Sequence, residues 1–190
     1  MEIKQVKKGD KTIKFTIKGT NPAFVNGIRR AIQTSVKNLA VENVNVYENT
    51  SVMFNEMLAH RLGMLPIQVD AKTYKKKDKV TLMVEKDGPG TVYSKDIKST
   101  DPKIEVVDKK IPIVKLGKNQ RIKIEMDAVV DSGKTNSKWI PGIMSYNYDK
   151  DVFTVNIESF GGMEPKELLE EAVTEIKIKT EELKKALSKK

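Results

Sequence analysis

Four stretches of this chain alternate apolar and polar residues with a period of two, and this pattern directs most of it into sheets. Ile13, Phe15 and Ile17 alternate with Thr12, Lys14, Thr16 and Lys18, and Val80, Leu82 and Val84 repeat the pattern. Ile122, Ile124 and Met126 alternate with Arg121, Lys123, Glu125 and Asp127, and Phe153, Val155 and Ile157 with Thr154, Asn156 and Glu158. Successive side chains of a strand point to opposite faces, so each stretch reads as a strand with one buried face. Asp87-Gly88-Pro89-Gly90 separates two such runs and reads as a turn. A phosphate-cradling loop is the sharper alternative, but no helix follows to aim its N-terminus at an anion.

Two helices interrupt the strands. The first starts at Asn21-Pro22, a capping residue followed by proline at the first helical position, and its residues Phe24, Ile28, Ala31, Ile32 and Val36 share a stripe. The second starts near Glu164-Pro165 and runs to the end of the chain. Leu169, Val173, Ile176, Thr180, Leu183 and Leu187 follow the spacing of a coiled-coil seam, with Lys184, Lys185, Lys189 and Lys190 at the dipole's negative end. Packing across the chain's own sheet would use such a seam, and so would pairing with a second chain.

The order of elements is strand, strand, helix, strand, a long β-rich middle, then strand and helix. It predicts an α+β protein in which residues 1–47 and 152–190 form one split α/β domain, with a mainly β domain, residues 48–151, inserted in it. No internal repeat or low-complexity linker is visible.

Composition narrows the chemistry. The 190 residues contain no cysteine, so disulfides, thiolate nucleophiles and cysteine-ligated zinc or iron–sulfur centres are excluded. Met1-Glu2-Ile3-Lys4 does not open a secretory signal, and no apolar run reaches the roughly 18 residues of a membrane helix, so a cytoplasmic location is expected. The net charge of +9 suits nucleic acid or an acidic partner. Its lysines are scattered or in short clusters, Lys75-Lys76-Lys77 and Lys109-Lys110, without the interleaved aromatics of single-strand binders. A solvated lysine surface and a free-standing basic nucleic-acid binder are both compatible with that pattern.

His60 is the only histidine, and the chain has no Gly-x-Ser-x-Gly elbow, P-loop or dinucleotide fingerprint. A Ser-His-Asp triad would have to use His60, with Ser51 the nearest serine in sequence, and a small hydrolase built on it is the second alternative. A lone histidine beside an arginine at a helix end is more often a structural donor, and with dispersed carboxylates it is weak evidence for a metal site, so no catalytic residue and no cofactor are expected. Docking is better represented. Arg29 and Arg30 are adjacent on the first helix, where consecutive side chains diverge by about 100°, so the two cannot serve one narrow contact equally: either one of them reaches a partner's carboxylate or carbonyls, or both are solvated.

The segment from Asn49 to Ile67 reads as a polar loop, a short helix and an extended exit. Asn55 is expected to cap the helix and Glu56 to charge its first turn, while Met57, Leu58 and Leu62 supply an apolar side. His60 and Arg61 occupy the last turn, Gly63 suits the left-handed position that ends helices, and Pro66 prevents continuation.

Ala59-His60-Arg61-Leu62-Gly63 with its apolar-proline-apolar exit resembles the signature segment of the alpha/D family of cellular RNA polymerase subunits, in its archaeal form. Asn26-Gly27-Ile28-Arg29-Arg30-Ala31-Ile32 is similar to that family's first helix, and residues 153–161 to its final strand and turn. Asp87-Gly88-Pro89-Gly90-Thr91-Val92-Tyr93-Ser94 and Lys138-Trp139-Ile140-Pro141 are similar to weaker segments of its inserted domain. The resemblance implies a noncatalytic assembly platform. It implies pairing with a small subunit, L, through Phe24, Ile28, Ile32, Leu169, Val173, Ile176, Leu183 and Leu187. It also implies docking of the large catalytic subunits through Arg29, Arg30, His60 and Arg61, with no sequence-specific nucleic-acid contact and no membrane. Many archaeal relatives carry a cysteine-bearing insertion for iron–sulfur clusters. Here the absence of cysteine and the short link from Tyr146 to Asp151 leave no place for it.

Overall fold

The structure is a computed structural model and describes residues 1–68 and 78–188. In chain order its elements are β1 (Glu2–Lys8), β2 (Thr12–Lys18), α1 (Pro22–Thr34), β3 (Lys37–Asn49), α2 (Asn55–Gly63), β4 (Lys79–Asp87) and β5 (Gly90–Tyr93). Then follow β6 (Lys98–Ser99), β7 (Pro112–Leu116), β8 (Arg121–Ser132), β9 (Gly142–Asp149), β10 (Val152–Ser159) and α3 (Pro165–Leu187). Two compact units result, one of residues 1–37 and 132–190, the other of residues 38–131. Both boundaries differ from the sequence expectation of 48 and 151. Most of β3 is hydrogen-bonded into the inserted unit's sheet, whereas β9 pairs along its whole length with β10 and so joins the split unit. The lysine cluster at 75–77 and the two final lysines lie outside the described residues.

The split unit is an antiparallel sheet in the order β1-β2-β10-β9 with α1 and α3 on one face. Every alternation read from the sequence is met: Ile13, Phe15 and Ile17 on β2, and Phe153, Val155 and Ile157 on β10, are buried. Each such side chain contributes about 1.5–3 kcal/mol of transfer free energy. Tyr148 stacks on Phe153 at 4.6 Å between ring centroids. Gly142 permits the close approach of this layer, since a Cβ there would meet Glu158 O at 2.4 Å and a Leu168 methyl at 2.7 Å.

Helix α1 starts as expected: Asn21 Oδ1 accepts from Phe24 N at 2.9 Å and Pro22 occupies the first turn. The stripe it buries is Val25, Ile28, Ala31 and Ile32, so Phe24 lies beside the stripe rather than in it and remains 39% exposed. Val36 is buried beyond the helix, which ends at Thr34. Helix α3 buries Pro165, Leu168 and Ala172, one residue out of phase with the expected seam. At about 100° per residue that rotation leaves Leu169 and Ile176 half-buried at the margin. Val173, Leu183 and Leu187 are then 44%, 62% and 68% exposed. Two polar contacts extend the helix's attachment: Lys179 Nζ donates to Ser35 Oγ at 2.5 Å, and Lys37 lies 3.8 Å from Glu175.

The inserted unit has a sheet in the order β3-β8-β4-β6 and a two-stranded ribbon, β5-β7. Strand β8 alternates buried and half-buried residues along its length, placing Ile122, Ile124 and Met126 in the core with Val80, Leu82 and Val84 of β4. Leu58 and Leu62 of α2 enter the same core. The turn expected at Asp87–Gly90 joins β4 to β5.

Candidate partner-binding surfaces

In the split unit, the two arginines of α1 are placed differently by their neighbours. Arg29 is half-buried and tied along its own helix: its Nε and one terminal nitrogen donate to Asn26 Oδ1 at 3.1 and 3.0 Å, and the other to Gln33 Oε1 at 3.4 Å. Arg30 is exposed, and its guanidinium makes no hydrogen bond or ion pair among the described residues. Of the residues expected at a dimer face, Ile28 and Ile32 belong to the unit's own core and offer no surface, which corrects their assignment. The surface left by α1 and α3 is formed by Phe24, Val173, Leu183 and Leu187, with Leu169 and Ile176 at its edge.

In the inserted unit, the loop before α2 is built around Asn49. Its Nδ2 donates to Met53 O at 2.8 Å and to Asn55 Oδ1 at 2.7 Å, and its Oδ1 accepts from Ser51 N at 3.1 Å and Ser51 Oγ at 2.6 Å. Asn55 is therefore not the cap: Phe54 occupies that position without a side-chain bond, and Asn55 is the first helical residue, engaged by Asn49 instead. Gly63 is also reassigned. It closes the helix without a positive φ, is buried beside Leu62, and Met64 takes the terminal position with φ −94°. Met57 faces solvent, not the core.

This loop presents Val52 at 86% and Phe54 at 74% exposure, next in sequence to exposed Met57. Beyond them, His60, Arg61, Met64 and Leu65 join Ile111, Pro112 and Ile113 around a depression of about 320 Å³. Arg61 donates to Pro112 O at 2.5 Å, which fixes its guanidinium on the rim. His60 is exposed. Of the exposed apolar residues here, Met57 and Met64 belong to the apolar side and apolar exit read from the sequence, whereas Val52 and Phe54 are not distinguished by that reading. Their signal was available in apolar residues that no helical or strand period places inside.

Elsewhere in the inserted unit two groups of charges are paired. Arg121 pairs with Glu85 and lies 3.4 Å from Asp87 and 3.7 Å from Glu48; its hydrogen bond holds the Glu85 carboxyl below the usual range. Partial burial pushes Asp96 upward, but the bonds from Lys86 Nζ at 2.7 Å and Tyr93 N at 2.8 Å outweigh it and hold its pKa below 3.8. Among the described residues no group of three or more His, Asp or Glu could hold a metal ion, and no helix is long and apolar enough to cross a membrane.

A split sheet-and-helix unit carrying a β-rich insert is the architecture of the alpha-like polymerase subunits. Residues 44–141 match the family described as the RNA polymerase Rpb3/RpoA insert domain. The chain is 46% identical over 160 residues to DNA-directed RNA polymerase subunit Rpo3 of Methanocaldococcus jannaschii, covering 84% of this chain and 82% of that protein. It is 40% identical over 154 residues to subunit Rpo3 of Pyrococcus furiosus, covering 78% and 59%, and 38% identical over 168 residues to that of Methanosarcina acetivorans, covering 82% and 63%. The match thus spans less than two thirds of the last two relatives. The chain belongs to the Rpo3 family of archaeal DNA-directed RNA polymerase subunits, the alpha/D family its sequence resembles.

Proposed function

We propose that the chain is a noncatalytic assembly platform of a cytoplasmic, DNA-dependent RNA polymerase. Helices α1 and α3 pair with a small alpha-like subunit, L, and the heterodimer docks the large catalytic subunits through Arg30 and the segment from Asn49 to Ile67. The chain supplies no catalytic group and needs no cofactor; nucleotide chemistry and its metal belong to other subunits.

The observation that supports this reading is the second half of α3. Every residue from 177 to 187 is exposed, about 16 Å of helix, and Leu183 and Leu187 recur there four residues apart. Such a stripe is stabilised by a second apolar helix, and leaving each leucine in water forgoes about 1.5–3 kcal/mol.

The test is co-expression with the small subunit followed by size-exclusion chromatography. The wild-type chain is expected to elute as a one-to-one complex. Leu183→Asp combined with Leu187→Asp is expected to abolish pairing while the circular dichroism of the isolated chain is unchanged, since neither side chain is in the core. A wild-type chain that runs as a compact monomer at micromolar concentration and ignores the small subunit overturns the proposal.

A further inference from the structure

The β1–β2 hairpin is the most basic element of the described structure. Residues 1–19 carry Lys4, Lys7, Lys8, Lys11, Lys14 and Lys18 against two carboxylates, Glu2 and Asp10. Side chains directly opposite each other on paired strands share a face. Lys7 lies opposite Lys14, Lys4 opposite Thr16, and Glu2 opposite Lys18. All of these are on the face turned away from buried Ile13, Phe15 and Ile17, and therefore away from α1 and α3. The cross-strand rows continue into β10 and β9 as Lys14, Asn156 and Ser145, and as Thr16, Thr154 and Asn147. Neither row contains a carboxylate. Acidic residues occur only at the ends of the face, as Glu2, which pairs with Lys4 at 3.0 Å, Asp149 and Glu158.

Like charges directly opposite on neighbouring strands oppose folding. Lys7 and Lys14 are such a pair, and neither has a carboxylate partner among the described residues. Edge-strand lysines discourage unwanted strand pairing, which accounts for those on β1. It does not account for Lys14 and Lys18, because β2 is an inner strand bonded on both sides.

We propose that this outer face binds the phosphate backbone of duplex DNA without reading its sequence. The cations on it are all lysines, which act on phosphate as point charges; no arginine fork suited to carboxylates is present. Thr16, Thr154, Asn147, Asn156 and Ser145 supply the hydroxyls and amides that commonly contact phosphate and sugar. No aromatic side chain stands in these rows, so base stacking, the means by which single strands are held, is missing. A partner seated on α1 and α3 occupies the opposite side of the sheet and leaves this face open.

Fluorescence anisotropy with a labelled, mixed-sequence DNA duplex tests the proposal on the full chain across a salt titration. Lys7→Gln combined with Lys14→Gln is expected to weaken binding several-fold. It is also expected to make the log–log salt slope shallower by about 2, near 0.9 for each phosphate no longer neutralised. Lys18→Gln is expected to lower the slope by about 1, and Lys109→Gln with Lys110→Gln, in the inserted unit, to leave it unchanged. Removing a like-charge pair does not unfold the hairpin, and pairing with the small subunit is expected to survive, which separates this outcome from a failure of the platform reading. Unchanged affinity and slope in both hairpin variants overturn the proposal, as does equal loss in the inserted-unit control. Displacement of the duplex by poly-glutamate as efficiently as by unlabelled duplex also overturns it, and assigns the face to an acidic protein segment.

Discussion

Asn49 and Asn55 are joined side chain to side chain, Nδ2 to Oδ1 at 2.7 Å, and this bond locks the loop that carries Val52 and Phe54 to the first turn of α2. Asn49→Ala removes four side-chain hydrogen bonds at a half-buried site. The expected loss is about 1–2 kcal/mol of stability in urea unfolding, with faster amide exchange at Ser51 and Met53. Exchange unchanged at both amides would show that the loop is held by something other than Asn49.

Arg29 and Arg30 are expected to separate in a reconstitution pull-down with a large subunit. Arg30→Ala should weaken capture by about 2–5 kcal/mol if its free guanidinium enters a buried contact. Arg29→Ala should act mainly on α1, because Arg29 is already committed to Asn26 and Gln33. Equal effects of the two substitutions would sink this division of roles.

The surface of α2 is expected to bind through its apolar residues more than through its cations. Buried apolar anchors dominate interface energetics, while polar rims contribute less. Phe54→Ser should therefore impair assembly with the large subunits more than His60→Ala combined with Arg61→Ala, and both should leave pairing with the small subunit intact. The measurement is the fraction of polymerase recovered on reconstitution. A larger loss from the cation pair would reverse the ranking.

The Lys86–Asp96 contact predicts an acid-side loss of stability in the inserted unit. The folded pKa of Asp96 is lowered, so the folded state releases its proton more readily than the unfolded chain. Its contribution is fully present above the unfolded value of 3.8 and is lost as pH falls through the lower folded value. Asp96→Asn should cost about 1–2 kcal/mol at neutral pH and flatten the stability profile on the acid side of 3.8. An Asp96→Asn variant with the wild-type slope would assign the acid sensitivity to other carboxylates.

What the sequence conveyed well was periodicity. The strands around Phe15, Leu82, Ile124 and Phe153 and the start of α1 at Asn21 were legible because each follows from local geometry and burial. Other features depend on neighbours distant in sequence. The seam of α3 was read one residue out of phase because Leu168 and Leu169 are equivalent until the sheet beneath selects one. Asn55 looks like a cap in sequence, yet Asn49 engages its side chain and leaves Phe54 in the capping position. The lysines of the hairpin seemed scattered because strand pairing, not sequence adjacency, sets Lys7 against Lys14.

The inserted unit's sheet places β3 beside β8, so the strand by which the chain enters lies next to the strand by which it leaves. Pairing of β2 with β10 joins Lys18 to Val152 and must close a very long loop. Once β3 and β8 are bonded, residues 38–131 no longer count toward that loop, and the free connection is about one third as long. By logarithmic loop-closure scaling, this lowers the entropic cost of forming the outer sheet by about 1 kcal/mol. An interruption of this size in the middle of a sheet thus need not handicap folding, because its two ends meet.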